Sequence, residues 1–278
     1  MQPEYSGDTP TRPDQPTPQQ EPPRLRVRVK MPDTPPTFTY LLLGLIILVY
    51  LAGQVIPVEP GMVVKGYRVT SGEELLVLYG AKINELILND GEWYRLLTAI
   101  FLHGGLAHLF FNGYALYVIG QDIERLYGHA RFLIIYLLGG LTASVSSLVF
   151  SPAWSVGASG ALFAIFGAEM VFLYRHRRLF GEGGRRRLQN LVWLLILNLG
   201  IGLLGNTLID NWAHIGGFLS GTALAWLIGP RFRPLPPTDA SMVIQIEDDN
   251  PLQKRIFVPF AWAAGLILVV GMLMMSAT

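Results

Sequence analysis

No cysteine occurs in the 278 residues. That absence removes disulfides, thiol nucleophiles and thiolate metal sites together, and it leaves the redox compartment open. Charge is also scarce: 15% of residues are charged, where soluble domains carry about 25%. The formal net charge of +1 gives no electrostatic reason to expect a nucleic-acid partner. His-Glu-x-x-His spacing is missing too, which argues against a zinc protease. No aspartate lies well inside an apolar run, which argues against an aspartyl protease of the membrane. What fills the chain instead is apolar: 51% hydrophobic residues with a mean hydropathy of +0.39.

The apolar residues come in runs long enough to cross a hydrocarbon core, which takes about 20 residues. Runs near 39–56, 95–120, 131–150, 157–174, 188–206, 211–229 and 256–275 predict an all-α polytopic membrane protein with seven spans. Residues 1–37 are dense in Pro, Gln, Asp and Thr, and this composition predicts a disordered tail. The first apolar run starts only near Phe38, behind that polar stretch, which argues against a cleavable signal peptide. The 57–94 connection mixes Glu73, Glu74, Lys82 and Glu85 with Leu75, Leu76, Val77, Leu78 and Ile83. This pattern predicts short amphipathic helices lying at the interface.

Basic residues set the expected orientation, because they stay on the cytoplasmic side. Arg24, Arg26, Arg28 and Lys30 close the tail. Arg125 and Arg131 lie in the 120–131 connection, six arginines in 175–187, and Arg231, Arg233, Lys254 and Arg255 in 230–255. The opposite connections, 151–156 and 206–210, carry none. The N-terminus is therefore expected inside and the C-terminus outside, with membrane lipids as surroundings and a bacterial inner membrane as the setting.

A polar residue at membrane depth is costly unless paired and is a functional candidate for that reason. Such residues are few: His103, His108 and Asn112 in the second run, Ser159 in the fourth and His214 in the sixth. At about 1.5 Å per residue, Ser159 lies ~24 Å from Arg175 and His214 ~25 Å from Arg231. His108 and Asn112 lie ~21 and ~15 Å from Asp122. Residues of three helices thus share one layer. His129 and His176 lie beside arginines in connections and are expected to be solvated.

Small residues at every fourth position let helices approach closely. Gly160, Ala164 and Ala168 form one such ridge, and Ala213, Gly217 and Gly221 another. Contact between them would bring the Ser159 hydroxyl to the His214 imidazole, the usual pairing of nucleophile and base. No acid is available at that depth to complete a triad, Asp210 lying too near the surface. His108 and Asn112, four apart on one helix face, and the Ser159 backbone N–H are suited to stabilising an oxyanion.

Three motifs carry a resemblance. His103-Gly-Gly-Leu-Ala-His108-Leu-Phe-Phe-Asn112, Gly157-Ala-Ser159-Gly160 and Ala213-His214-Ile-Gly216-Gly217, in this order, resemble the rhomboid intramembrane serine proteases. The resemblance implies Ser159 as nucleophile, His214 as base, and His108, Asn112 and the Ser159 amide as the oxyanion site. Gly157 and Gly160 match the flanking glycines, and Phe163 an aromatic ring that packs on the histidine. His103 and Gly217 belong to the same motifs. Glu92-Trp93-Tyr94-Arg95 resembles the Glu-x-Trp-Arg signature of the first external loop, with Tyr94 in the tryptophan's place.

The implied organisation is a tail over 1–37, a six-helix core over 38–229, a cytoplasmic linker over 230–255 and an extra C-terminal span over 256–278. The implied activity is cleavage of transmembrane substrates near the outer end of their helix, without metal or cofactor. The alternative is a catalytically inactive rhomboid-like membrane adaptor.

Overall fold

The computed structural model describes residues 28–29, 31–55, 63–64, 66–68, 75–204, 209–235 and 243–277. Most of the Pro-rich tail, Glu73, Glu74 and Asn206 lie outside them. Helix α1 (Thr37–Val55) follows Pro35 and Pro36 and is mostly apolar. Its first amides are satisfied by a distant carboxylate. Glu124, fully buried, accepts from the backbone N–H of Phe38 (2.8 Å) and Thr39 (2.7 Å) and from the Thr39 hydroxyl (2.7 Å). An unmet helix N-terminus inside a protein would be costly, and a carboxylate is the strongest available acceptor for it.

The 57–94 connection contains the expected short helices, α2 (Leu75–Tyr79) and α3 (Asn84–Leu88). Then comes the largest departure from expectation. The apolar run over 95–120 is not one straight span. It is α4 (Arg95–Thr98), a 3-10 turn (Ala99–Phe101), and then α5 (Leu106–Ala115), turned by 88°. Gly104 and Gly105 lie in the break, with Gly105 in extended backbone (φ 163°, ψ 166°) at the start of α5. Helix α5 runs through a π turn (Leu116–Gly120) into α6 (Gln121–Tyr127).

Three helices form the centre: α7 (His129–Phe150), α8 (Ser159–Arg175) and α10 (Asn211–Ile228). They touch backbone to backbone. A methyl group on Gly217 would overlap the Gly160 carbonyl, and one on Gly221 the Ala164 carbonyl. On the other side of α8, a methyl on Gly139 would overlap Ala164, and Gly160 itself abuts Ala143 of α7. These contacts are the small-residue packing that membrane helices use in place of a hydrophobic drive.

Helix α9 (Arg177–Leu204) is broken at Gly181 (φ +51°) and leaves Trp193, Ile196 and Leu197 exposed. Helix α11 (Phe257–Ala277) lies against α7 and is exposed along most of its length. By length and composition, three helical stretches among the described residues could cross a membrane: Thr37–Val55, His129–Phe150 and Leu252–Ser276. The bent pair Arg95–Phe101 with Leu106–Tyr127 makes a fourth where the two halves are taken as one span. Helices α8 and α10 sit inside the bundle, where small and polar residues are shielded from lipid by their neighbours.

Two stretches outside the helices carry further contacts among the described residues. Before α1, Arg28–Val29 pair in parallel with Val243–Ile244, and Asp33 accepts from Arg125 at 2.7 Å. The second stretch follows α10, within 230–255. Phe232–Pro234 pair with Ile246–Asp248, and the buried Asn250 amide donates to the carbonyls of Leu227 (3.1 Å) and Gly229 (2.9 Å) at the end of α10.

Candidate active site

Ser159 is the first residue of α8 and His214 lies one turn into α10. The ridge contact holds the two helices so close that Ser159 Oγ and His214 Nε2 are 3.0 Å apart. His214 is 7% exposed. The Phe163 ring, one turn after the serine, stacks on the imidazole with centroids 4.2 Å apart and planes 14° from parallel. An aromatic face so placed favours an imidazolium over it.

Both carboxylate oxygens of Asp210 are engaged away from His214. Its Oδ1 accepts from the Ala213 amide (3.0 Å), capping α10, and its Oδ2 accepts from the Ser147 hydroxyl. His214 Nδ1 has no partner among the described residues.

Gly157 precedes the serine with φ +127°, a conformation that favours glycine. A Cβ here would lie 2.6 Å from His108 Nε2 and 3.4 Å from Asn112 Nδ2. Both α5 side chains therefore converge on the loop that enters α8. Asn112 is buried at 6% exposure and its Nδ2 has no partner among the described residues. Three kinds of donor thus gather beside the serine: the free N–H groups at the start of α8, the Asn112 amide and the His108 ring. His103 is not on the helix with His108. It lies in the break before α5, is buried, and sets its ring edge-on to His108 at 5.1 Å.

The loop leading to Ser159 is strapped from outside the motifs. The Gly157 amide donates to the Ala99 carbonyl (2.9 Å). Ser155 and Lys82 exchange backbone hydrogen bonds at 3.0 Å. The Lys82 ammonium, fully buried, donates to the carbonyls of Ser151 and Ala153, each at 2.9 Å. Burial pushes its pKa down to about 8 despite the opposing pull of Asp210 and Glu85. Nothing beside Lys82 in the sequence, where Asn84 and Glu85 follow closely, points to this role.

Arg95 is buried beneath the same region. Its Nε donates to Glu92 (2.5 Å), and its Nη1 to the carbonyls of Val77 (2.7 Å) and Ala81 (3.1 Å). Tyr94 donates its hydroxyl to Glu92 at 3.1 Å. At the opposite end of α8, His176 is buried rather than solvated. Its Nδ1 donates to the Phe172 carbonyl (2.9 Å) and its Nε2 accepts from the Phe232 amide (3.0 Å). His129 is partly exposed and pairs with Glu124 at 2.6 Å. Among the described residues no group of three or more His, Asp or Glu side chains is gathered that could hold a metal ion.

Apolar helices surrounding a part-buried serine–imidazole contact define a helical integral membrane protein with a hydrolase-like centre. Comparison with known proteins specifies it further. The Rhomboid domain matches residues 90–231, just over half of the chain. The chain is 43% identical over 194 residues to the rhomboid protease GluP of Bacillus subtilis, covering 70% of this chain and 35% of that protein. It is 34% identical over 158 residues to the chloroplastic RHOMBOID-like protein 9 of Arabidopsis thaliana, covering 56% and 36%. It is 39% identical over 145 residues to RHOMBOID-like protein 5 of the same plant, covering 51% and 46%. The chain belongs to the rhomboid family, and it spans between a third and a half of the length of these relatives.

Proposed function

We propose that this protein is an intramembrane serine endopeptidase that cuts transmembrane protein substrates near the outer end of their helix. The observation that carries this reading is the 3.0 Å contact between Ser159 Oγ and His214 Nε2, beside donors aimed at the entrance to α8. His214 Nε2 takes the hydroxyl proton as Oγ attacks the scissile carbonyl carbon. The carbonyl oxygen becomes an oxyanion, held by the Ser159 amide, His108 and Asn112. His214 then gives the proton to the leaving amine as the C–N bond breaks. Water, deprotonated by the same imidazole, releases the acyl group from Ser159. The pair works as a dyad, with Phe163 supporting the imidazolium, and needs no metal or cofactor.

The fold that serves this activity is a six-helix rhomboid core over 38–229 followed by α11 as a seventh span. The arginine-rich ends face the cytoplasm, so the N-terminus lies inside, the C-terminus outside and Ser159 toward the outer surface. The 43% identical Bacillus relative supports a bacterial inner membrane.

The test is proteolysis in liposomes with a model transmembrane substrate, comparing wild type, Ser159→Ala and His214→Ala. Wild type cleaves and both variants do not. Cleavage that survives in either variant overturns the dyad. A wild-type protein that binds the substrate without cutting it points to a rhomboid-like adaptor instead.

A further inference from the structure

Helix α11 lies outside the rhomboid match, yet it does not simply hang in lipid. Leu266, Val269, Val270 and Leu273 recur at helical spacing and pack on a cluster made by Ile87 of α3, Leu96 of α4, and Val145 and Leu148 of α7. Met274 reaches Gly91 in the loop between α3 and α4. Lower down, the Trp262 indole donates to the Thr142 hydroxyl at 3.0 Å. At its base Arg255 donates to Asn250, also at 3.0 Å, beside the end of α10. Lipid tails offer apolar surface as readily as a neighbouring helix does. A directional hydrogen bond and a matched stripe therefore mark a specific seat.

That seat connects to the site in few steps. Leu96 adjoins Arg95, whose guanidinium ties α4 to the carbonyls of Val77 and Ala81. Three residues beyond Leu96, the Ala99 carbonyl accepts the Gly157 amide at 2.9 Å. Gly157 is the residue whose backbone meets His108 and Asn112. We infer that α11 is a positioning element: by bracing α3 and α4 it fixes the Ala99 carbonyl, and through it the loop that forms the oxyanion site. This inference rests on the protease reading above.

The test uses the full chain in liposomes. Leu266→Ala/Val270→Ala removes the inward stripe, and Ile267→Ala/Leu268→Ala removes residues of the outward face, which are 72% and 66% exposed. A loop displaced by an ångström costs a reaction up to about 100-fold. The inward pair is expected to lower kcat about tenfold or more while KM moves less than about twofold. Amide exchange should quicken over 151–158 and stay at wild-type rates through α8 and α10. The conservative pair Leu266→Met/Val270→Ile should keep wild-type kcat, as should the outward pair.

An inward variant with wild-type kcat and exchange overturns the brace, and so does an outward variant that loses as much. Should the double variant not fold, Val270→Ala alone leaves a smaller void and is read the same way. If the wild type cleaves nothing, the protease reading has failed, and exchange over 151–158 still decides whether α11 braces the loop.

Discussion

The α-carbon of Gly217 lies against the carbonyl of Gly160, with no room for a methyl group between them. Each glycine is a near neighbour in sequence of a site residue, Ser159 on one side and His214 on the other. The helix–helix distance therefore sets the hydroxyl–imidazole distance.

Enlarging Gly217 pushes α10 off α8. Gly217→Ala should destabilise the protein by about 1–3 kcal/mol, the usual cost of overpacking, and should cut activity at temperatures where it remains folded. Gly44→Ala on α1, where nothing lies within 4 Å, should be neutral or slightly stabilising. Thermal unfolding in detergent compares the two; equal effects would remove the special status of the Gly160–Gly217 contact.

Asn112 donates only to what enters the site, since its Nδ2 has no partner among the described residues. Asn112→Ala should lower kcat by about 100- to 1,000-fold, the range for loss of one oxyanion donor. Its melting temperature should not fall, because no protein hydrogen bond from that nitrogen is lost. Single-turnover cleavage with a parallel melting curve separates the two effects.

Lys82 makes stability depend on alkaline pH. Burial holds its folded pKa at about 8, below the ordinary 10.5. Between these values the folded state binds fewer protons than the unfolded state, so stability rises with pH across that window. Wild type should gain stability relative to Lys82→Met as pH climbs from 8 to 10.5. At pH 7 that variant should still be the less stable, having lost two bonds to the 151–153 carbonyls. A flat difference across the window would show that the ammonium is not buried.

His176 gives the same sign at acid pH. Burial is the main cause that lowers its pKa below 6.5, with Arg175 adding to it and the Phe172 carbonyl and Asp248 opposing. The folded state binds fewer protons than the unfolded one just below pH 6.5, so stability falls as pH drops through that region. The physical event is a proton arriving at Nε2, which then faces the Phe232 N–H with a donor instead of an acceptor. Relative to His176→Phe, wild type should lose stability as pH falls below 6.5, measured by unfolding midpoints.

Much of the centre was legible because its determinants are local. The ridges Gly160–Ala164–Ala168 and Ala213–Gly217–Gly221 announce which faces meet, and Ser159 and His214 sit beside them. The i, i+4 spacing of His108 and Asn112 places both on one face of α5. The 88° turn before α5 was not legible, since Leu96 to Leu102 is apolar whether the chain continues or reverses; only Gly104 and Gly105 hinted at it. His176 was misjudged because its acceptor role depends on Phe232, 56 residues away. Lys82 was hidden likewise: its carbonyl partners, Ser151 and Ala153, lie in the loop after α7, and burial of a charge cannot be read from its neighbours in sequence.

The carboxylate of Glu124 also bears on how the chain is assembled. The amides it satisfies belong to Phe38 and Thr39, made 86 and 85 residues earlier. During synthesis α1 exists well before its acceptor does, so it must first be stable in lipid alone, as its mean hydropathy of 2.1 allows. It can be fastened to the bundle only after α6 has been made. The order of synthesis and the order of docking are therefore different for this helix, and a Glu124→Gln protein should accumulate with α1 inserted but open to proteolysis at its start.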